Sequence, residues 1–400
     1  MPKIISSPIF IPRLMNQDGV ATKIRRLPAS LMTANIAAHY KNLATKARNT
    51  STLFIIDPMT NNLVYDAFTE KKAFQKVPYA PKKPFEMPKL FGDEKYRITS
   101  FVEPSIKFQL DKGADFVIAP YLFSEDTSGD KFRLNHTLIP DSIKYLRREK
   151  IRKPLFAMIN IGNSSIGNPK MLNQVIDRYK DCNADLAGYF IMVDNLNDIK
   201  SDEDSLKGLA WLVFQLSIDK DVFVLSIGAF GEVLCAIGAS GFSSGLGWLE
   251  TFSEKNLKQK LKFFPQKKKL AQTYIPELFD YVNDEIVRLI NYKCSCASCD
   301  GKMPVDYASK KLHFLYRRLE AMRKMAGLSQ NERMGLMRGR LEEALDLAEG
   351  LYGRFAIPLQ TSHLKRWIGV LESSKRWKYG TDQDKAAADL AQVIHEARSK

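Results

Sequence analysis

The chain has 400 residues, of which 45% are hydrophobic and 26% charged, a composition typical of a folded protein with a large core. Its formal net charge of +15 is unusual for an enzyme that works on small molecules. It favours a polyanionic partner, nucleic acid ahead of a membrane surface. A soluble protein that is merely basic is the plainer alternative. No apolar run reaches the length of about 18 residues that a membrane span needs.

The N-terminus and the cysteines both bear on location. The opening sequence MPKIISSPIFIPRL has only a short apolar patch broken by Ser and Pro, so we interpret it as part of the fold rather than an export signal. Five cysteines, three of them clustered, do not resemble the disulfide framework of a secreted protein. We therefore expect a reducing, cytoplasmic environment.

Short runs that are apolar on both faces recur through the first 250 residues, as in parallel strands covered on both sides. The predicted strands are 8–12, 29–34, 52–57, 115–120, 154–160, 187–193, 222–228 and 241–245. Helical segments are expected between them, at 140–150, 168–180, 204–217 and 231–238. This alternation predicts an α/β fold, and eight strands favour a closed (β/α)8 TIM-type barrel. A doubly wound open sheet is the alternative, although no glycine-rich dinucleotide loop follows an early strand.

Long helices are predicted after residue 276. MGLMRGRLEEALDLAEGLY carries an apolar stripe with helical spacing, and the C-terminal DKAAADLAQVIHEARSK has the same pattern. We predict a TIM-barrel-like domain over residues 1–290 and a helical, metal-binding subdomain over residues 291–400, packed on the barrel.

The segment KCSCASCDGKMP places Cys294, Cys296 and Cys299 within six positions. On a turn, this spacing lets three thiolates converge on one tetrahedral ion, which then needs one further nitrogen or sulfur donor. Three core thiols without a metal are the plainer interpretation. With four protein ligands and no open position, the ion would be a structural Zn²⁺ that fastens the helical subdomain to the barrel.

Two downstream histidines are candidates for the fourth donor. His313 lies inside a predicted helix, whereas His363 follows a loop and opens another helix. We favour His363, because a ligand at the start of a helix can swing towards the metal more freely than one on a helical flank.

Taken along the chain, several motifs resemble those of the tRNA-guanine transglycosylase superfamily. These are base-exchange enzymes built on a TIM barrel, with a zinc subdomain that contains Cys-x-Cys-x-x-Cys and a later His. SSPIFIP is similar to the family's opening hairpin, PLFAMINIGNS to the strand bearing a Phe and then Gln-Gly-Gly, and ADLAGYFIMV to the strand ending in a glycine pair. HLKRWIGVL is similar to the helix begun by the zinc-binding His. The resemblance implies that one carboxylate attacks the sugar C1′ and expels the base. A second carboxylate then handles protons while a deazapurine enters.

The resemblance also implies roles for single residues. Asp57 ends a strand at the position of the family's first aspartate, although DPMTN replaces Asp-Ser-Gly-Gly. Asn160 stands where a glutamine recognises the base, and Tyr121 replaces a base-reading aspartate. Asp194, followed by Asn195, stands where the family has its glycine pair. We expect Asp57 and Asp194 to be the catalytic carboxylates and the other three residues to bind the base.

One departure affects the nucleophile itself. The family's nucleophile ends a Phe-Asp phrase, whereas this chain reads GFSS and leaves Ser243 at that position, where we assign it to base binding. Either another carboxylate has taken over, or the specificity differs, or the chain is inactive. Each candidate also has a plainer interpretation as a turn, loop or satisfied polar residue. Polar residues at three predicted strand ends are nevertheless the way in which a TIM-barrel site is assembled.

Two segments, 255–270 and 363–380, mix cations with aromatic residues. Cations neutralise phosphates, and aromatic rings stack on exposed bases. The predicted nucleic-acid contacts are Lys365, Arg366, Trp367, Lys375, Arg376 and Trp377. The alternative is that Trp367 belongs to the core and that the lysines form a solvated face.

We therefore expect a transglycosylase that exchanges guanine in DNA for a 7-deazaguanine. The positive charge and the changed motifs favour the DNA-modifying branch. One alternative is an enzyme acting on tRNA. The other is an inactive, zinc-containing nucleic-acid-binding subunit of a modification system with partner proteins.

Overall fold

The computed structural model of the protein describes residues 3–247, 251–259 and 271–377. Within these ranges, eight parallel strands form a nearly closed barrel, which confirms the predicted fold class. All eight predicted strands are present. They are β1 (Ile9–Arg13), β2 (Leu27–Thr33), β3 (Ser51–Asp57), β4 (Val117–Ile118), β5 (Leu155–Ile161), β6 (Gly188–Val193), β7 (Asp221–Leu225) and β8 (Gly241–Gly245).

The strands are hydrogen-bonded in the order β3-β2-β1-β8-β7-β6-β5-β4. At the seam between β3 and the two-residue β4, Asp115 makes the connection. Its N–H donates to the carbonyl of Phe54 at 2.9 Å, and its carboxylate accepts from the N–H of Phe54 at 2.8 Å. At this seam the Asp115 side chain therefore replaces one of the backbone hydrogen bonds that would join two paired strands.

Helices cover the outside of the barrel. Those before β8 are α1 (Ala34–His39), α2 (Lys41–Thr50), α3 (Asp66–Thr69), α4 (Met87–Gly92), α5 (Glu94–Arg97), α6 (Glu103–Asp111), α7 (Asp130–Arg148), α8 (Asn163–Ile166), α9 (Pro169–Asp181), α10 (Glu203–Leu216) and α11 (Phe230–Ile237). The predicted helical segments 168–180, 204–217 and 231–238 match α9, α10 and α11, whereas the segment 140–150 covers only the second half of α7, which begins at Asp130. Short 3₁₀ helices span Gly19–Lys23, Thr60–Asn62 and Asn183–Asp185, and a π-helical turn spans Ile98–Val102.

A hairpin and further helices follow the barrel. They are α12 (Lys255–Lys258), β9 (Gln272–Ile275), β10 (Asp280–Asn283), α13 (Asp284–Leu289), α14 (Tyr307–Met325), α15 (Gln330–Phe355) and α16 (Ser362–Ser374). The predicted helix around residue 340 is therefore confirmed as part of α15. The predicted C-terminal helix and most of the first basic segment, residues 260–270, lie outside the described residues.

The C-terminal helices share one hydrophobic core with the outer layer of the barrel. Phe314 of α14 packs edge-on against Phe10 of β1, with ring centroids 5.9 Å apart, and Trp367 of α16 packs against Phe230 of α11 at 5.6 Å. A domain boundary at residue 290 remains a prediction. None of the described helices combines the length and the apolar character needed to cross a membrane.

Alternate residues of each strand fill the inside of the barrel. Ile55 of β3 and Met158 of β5 belong to this buried interior cluster, so Asp57 and Asn160, two positions further along, also face inward. Ser243 of β8 pairs with Ile11 of β1, another interior residue. The register thus brings three of the predicted site residues towards the mouth of the barrel at the carboxyl ends of the strands.

Candidate active site and metal centre

Asp57 ends β3 and is almost completely buried. Its Oδ1 accepts a hydrogen bond of 2.7 Å from the Tyr121 hydroxyl and one of 2.8 Å from the N–H of Met59. Met59 itself adopts a left-handed conformation with φ of 51°. Burial raises the pKa of Asp57, although Tyr121, Met59 and the charge of Arg13 act in the opposite direction. The Asp57 carboxyl is therefore protonated over a wider range of pH in this site than it would be in water.

The backbone of Tyr121 is held by the Thr60 side chain. Its backbone N–H donates to the Thr60 hydroxyl at 2.8 Å, and that hydroxyl donates to the carbonyl of Tyr121 at 2.8 Å. Burial, together with the charge of Asp57, raises the pKa of Tyr121 well above its usual value. Tyr121 consequently stays a neutral donor to Asp57, and it has no free hydroxyl hydrogen with which to read a base.

Asn160 and Ser243 are buried at the mouth of the barrel, at 0% and 1% exposure. Among the described residues, the side-chain oxygen and nitrogen of Asn160 have no hydrogen-bond partner, and the Ser243 hydroxyl has none either. A buried polar group without a partner costs about 1–3 kcal/mol. A ligand or an ordered water can supply the missing hydrogen bonds of such groups. These two residues therefore fit the predicted base-binding role best.

Two asparagines that the sequence analysis missed have the same property. Asn61 and Asn62 follow Asp57 in the buried turn Thr60–Asn62, and both carry side-chain atoms without partners among the described residues. The signal in the sequence was the repeated amide of DPMTNN directly after a strand end. A purine edge presents several donors and acceptors, so amide-rich walls suit it chemically.

Asp194 lies at the rim, half-buried, and both of its oxygens accept hydrogen bonds. Oδ1 accepts from the N–H of Glu254 at 2.6 Å, and Oδ2 accepts from the Asn195 side-chain amide at 2.7 Å. Burial, followed by the neighbouring charges of Glu125 and Glu254, raises the pKa of Asp194. In the described structure no hydrogen bond joins Asp194 to Asp57. The amide of Asn195 is directed to Asp194.

The segment that carries Glu254 lies over the mouth. The N–H of Asn195 donates to the carbonyl of Phe252 at 2.8 Å. The ring of Phe252 packs on the interior cluster of the barrel and lies 5.9 Å from the ring of Phe123. Glu254 in turn accepts a hydrogen bond of 3.0 Å from the Tyr65 hydroxyl. Residues 251–254 therefore form a covering segment above the candidate site, which the sequence analysis did not foresee.

The three clustered cysteines converge with a histidine, and their donor atoms all lie within 4.8 Å of one another. Nδ1 of His313 is 3.7 Å from Sγ of Cys296 and 3.4 Å from Sγ of Cys299. Around a tetrahedral zinc ion, metal distances of about 2.3 Å to sulfur and about 2.0–2.1 Å to nitrogen place S and N about 3.5–3.6 Å apart. The buried cluster therefore has the size that a metal ion requires.

The surroundings of the cluster also suit a metal. Nε2 of His313 lies 2.8 Å from the carbonyl of Tyr274, and a carbonyl only accepts, so Nε2 carries the hydrogen and Nδ1 is free to bind an ion. A hydrogen bond from Cys299 lowers the pKa of Cys294. The N–H of Cys296 also donates to Sγ of Cys294 at 3.4 Å. Both contacts favour the thiolate form of Cys294, whereas burial raises the pKa of Cys296, and the hydrogen bond to Cys294 together with burial raises the pKa of Cys299.

The preference for His363 as the fourth donor is corrected. His363 is buried at the start of α16, where its ring lies 5.0 Å from that of Trp367, and it is not part of the cysteine cluster. The physical reason is chain connectivity. Helix α14 begins at Tyr307, immediately after the cysteine turn, so its flank carries His313 back over the thiols. Freedom to swing mattered less than this short connection.

The structure also corrects the assignment of Trp367 and Trp377 to nucleic-acid contact. Trp367 is fully buried and donates its indole N–H to the carbonyl of Asp198 at 3.0 Å. Trp377 packs edge-on against Trp211, with centroids 5.3 Å apart. Rings inside the core cannot stack on a base. The alternative interpretation of Trp367 as a core residue was the right one.

The four cations around these rings have different environments. Arg366 donates to the carbonyl of Ile199, whereas Lys365, Lys375 and Arg376 are exposed. Lys375 is paired with Glu372 at 3.1 Å on the same helix. A role for these four cations in phosphate contact remains a prediction.

No family model matches the chain, and no curated protein matches it significantly. The carboxyl transferase domain from Rhizobium etli pyruvate carboxylase with pyruvate and biocytin aligns at 10% identity and a TM-score of 0.34, over 98% of this chain and 61% of that one. A complete multifunctional pyruvate carboxylase from Rhizobium etli aligns at 10% identity and a TM-score of 0.33, over 99% and 34%. The chain thus spans less than two thirds of these proteins. So distant a likeness says nothing about activity, and the resemblance to transglycosylases remains a prediction.

Proposed function

We propose that the protein is a transglycosylase that exchanges guanine in DNA for a 7-deazaguanine base at the mouth of its barrel. The observation that carries the proposal is the buried carboxyl of Asp57 at the same barrel mouth as two inward-facing groups, Asn160 and Ser243, that have no hydrogen-bond partner among the described residues. An acid next to unsatisfied donors and acceptors is what a site needs in order to bind a nucleobase and protonate it. The net charge of +15 supports a nucleic-acid substrate.

In the proposed reaction, an oxygen of the Asp194 carboxylate attacks C1′ of the sugar. The bond from C1′ to the base nitrogen breaks, and its electron pair leaves with guanine, which takes a proton from Asp57. The incoming deazaguanine then attacks C1′, returns its proton to Asp57 and releases Asp194. The raised pKa of Asp57 supports the acid role, because a general acid must hold its proton near working pH.

Recognition of the base is assigned to the amide groups of the mouth. The Asn160 side chain offers one acceptor and two donor hydrogens to a purine edge, and Ser243 offers a hydroxyl. The target nucleotide must leave its stack to reach them. Since Phe252 packs over the mouth, entry requires either its displacement or the stacking of the base on its ring.

For the cysteine cluster we propose a structural Zn²⁺ held by Cys294, Cys296, Cys299 and His313. Three thiolates and one imidazole are typical zinc ligands, and four protein donors leave no position for substrate. The ion would stabilise the junction of the β9–β10 hairpin with α14. Because free thiols are needed to bind it, we also propose a reducing, cytoplasmic location.

The function is tested by incubating the purified protein with guanine-containing duplex DNA or tRNA and a 7-deazaguanine, followed by mass spectrometry of the nucleosides. We expect incorporation into DNA. Asp57→Asn and Asp194→Asn should each lower it by about 100-fold or more. Asp130→Asn, at the exposed start of α7, is the matched control. Full exchange in both site variants would overturn the assignment of the carboxylates, and exchange on neither polymer would overturn the function.

Two alternatives remain distinct outcomes of the same assay. Incorporation into tRNA alone would favour the tRNA-acting branch. Binding without exchange would favour an inactive nucleic-acid-binding subunit of a modification system. One observation favours that second outcome, because Asp194 is hydrogen-bonded to the covering segment rather than to Asp57.

A further inference from the structure

Between β3 and α5 the chain makes a long excursion at the carboxyl end of the barrel. We call residues 63–93 the mouth lobe. The Tyr79 hydroxyl holds it beside the strand ends by donating to the carbonyl of Pro58 at 2.6 Å, and within the lobe the N–H of Phe85 donates to the carbonyl of Leu63 at 3.0 Å. Pro58 directly follows Asp57, so the lobe is anchored one residue away from the candidate acid.

The outer face of the mouth lobe is strongly basic. Between residues 71 and 89 the chain has six lysines and one acidic residue, Glu86. The exposed lysines are Lys72, Lys76, Lys82, Lys83 and Lys89. Among the described residues, none of these five ammonium groups forms an ion pair with a carboxylate. Lys89 instead lies 4.1 Å from the centroid of the Tyr96 ring.

A segment at the opposite end of the barrel serves for comparison. The segment 144–153 is just as rich in cations, but carboxylates neutralise several of them. Lys144 pairs with Glu94 at 2.9 Å, and Arg148 pairs with Glu103 at 2.6 Å. None of the five exposed lysines on the mouth lobe is paired in this way among the described residues, so their charge can act on a polyanion that approaches the mouth.

We propose that the mouth lobe is the docking surface for the sugar–phosphate backbone of DNA, an inference that rests on the proposed function for the identity of the polyanion. Exposed lysines contact phosphates as point charges and release counterions, which gives affinity without sequence preference. The Tyr79 anchor then keeps the bound strand next to Asp57. This surface differs from the basic segments that the sequence analysis singled out.

The proposal is tested with two charge-matched variants, Lys82→Glu with Lys83→Glu on the lobe and Lys150→Glu with Arg152→Glu at the opposite end. All four residues are exposed, and each double substitution changes the net charge by the same amount. Binding of a fluorescently labelled 25-base-pair duplex is followed by anisotropy at several salt concentrations, and of a labelled tRNA transcript in parallel. Melting temperatures check that both variants fold.

We expect the lobe variant to lose about tenfold or more in affinity for the duplex at low salt, and the slope of log K against log salt to decrease by about 1–2. The opposite-end variant should bind within about twofold of the parent. Equal weakening by both variants, or weakening on tRNA alone, overturns the proposal. If lobe-dependent binding occurs without base exchange, the docking surface stands and the proposed function fails. The milder Lys72→Gln with Lys76→Gln variant replaces the first if that one does not fold, and is judged by the same two readouts.

Discussion

Tyr121 donates its hydroxyl hydrogen to the carboxyl of Asp57 over 2.7 Å, and this bond crosses the one seam at which the described barrel strands are not paired. Asp57 ends β3, and Tyr121 follows β4. The contact therefore ties the two sides of the opening together and fixes the orientation of the carboxyl. It also makes the ionisation of Asp57 a measurable property of the folded state.

Replacement of Asp57 by Asn should separate stability from activity. Burial raises the pKa of Asp57 above the value near 4 of an ordinary aspartate. The folded state is therefore favoured below pH 4 and loses that advantage as the pH rises through the folded pKa. We expect D57N to melt at the parent's temperature near pH 4 and about 1–3 °C higher at neutral pH, while base exchange is lost. Calorimetry from pH 4 to 8 measures this difference.

A melting difference that does not change with pH would mean that Asp57 ionises like a surface residue, and the acid role would be lost with it. Asp126→Asn is a suitable control, because hydrogen bonds from the side chain and backbone of the nearby Ser128 lower the pKa of that exposed carboxyl. Its pH dependence should have the opposite sign.

Asn160 should behave as a binding residue rather than a structural one. Its buried amide has no partner among the described residues, so Asn160→Leu removes an unsatisfied polar group of similar size. We expect the free energy of unfolding to rise by about 1 kcal/mol or more and binding of the free 7-deazaguanine to disappear. Denaturant unfolding and equilibrium dialysis with labelled base measure the two effects.

Asn135 supplies the matched control for this substitution. It is equally buried, but its Oδ1 accepts from the N–H of Leu122 at 2.7 Å and its Nδ2 donates to the carbonyl of Leu122 at 2.9 Å. Asn135→Leu should therefore lower stability by about 2 kcal/mol or more, because it leaves two buried backbone groups unpaired. Destabilisation by both substitutions would assign Asn160 to the framework.

The two candidate histidines, His313 and His363, give a prediction about bound metal and its contribution to stability. We expect His313→Ala to lose most of the bound zinc and to melt at a clearly lower temperature, because Nδ1 of His313 faces the thiols. His363→Ala should keep a full equivalent, since that ring packs on Trp367 instead. Metal content per polypeptide, measured by mass spectrometry after gel filtration, decides between them. Equal zinc in both variants would refute the site.

The strands could be predicted because their signal is local. Runs such as those ending at Asp57 and Asn160 are apolar on both faces, and this pattern follows directly from burial in a parallel sheet. The cysteine turn was equally local. The choice between His313 and His363 was not, because it depended on which helix returns to the thiols. The short connection between the cysteine turn and α14 favoured His313. The prediction of His363 considered only how freely a ligand at the start of a helix can move, and not this connection.

The details of the mouth could not be derived from the sequence for a similar reason. Residues 251–254 follow the last barrel strand, and nothing in their letters indicates that Phe252 packs on the barrel interior. The prediction for Trp367 was wrong because an aromatic residue flanked by cations has the same sequence pattern on a surface and in a core. Only the packing of α16 against α11 distinguishes the two.

The junction between the barrel and its C-terminal helices contains a buried charge cluster that can be tested directly. Glu232 of α11 forms ion pairs with Arg318 of α14 and with Arg340 of α15, the second at 2.6 Å. Burial alone would raise the pKa of Glu232, but the two arginines outweigh it and lower the pKa. One carboxylate thus joins three helices.

Glu232→Gln should destabilise the fold by about 3–5 kcal/mol at neutral pH, because it leaves two guanidinium groups without their counterion. The lowered pKa means that the ionised carboxylate stabilises the fold above about pH 4, and that this contribution is lost as the pH falls through the folded pKa. The difference between parent and variant should therefore shrink in acid. Glu342→Gln, which breaks an exposed pair with Arg338 on α15, should cost less than about 1 kcal/mol. Denaturant unfolding at pH 7 and pH 3 measures all three proteins, and similar losses in the two variants would show that the buried cluster does not hold the helices on the barrel.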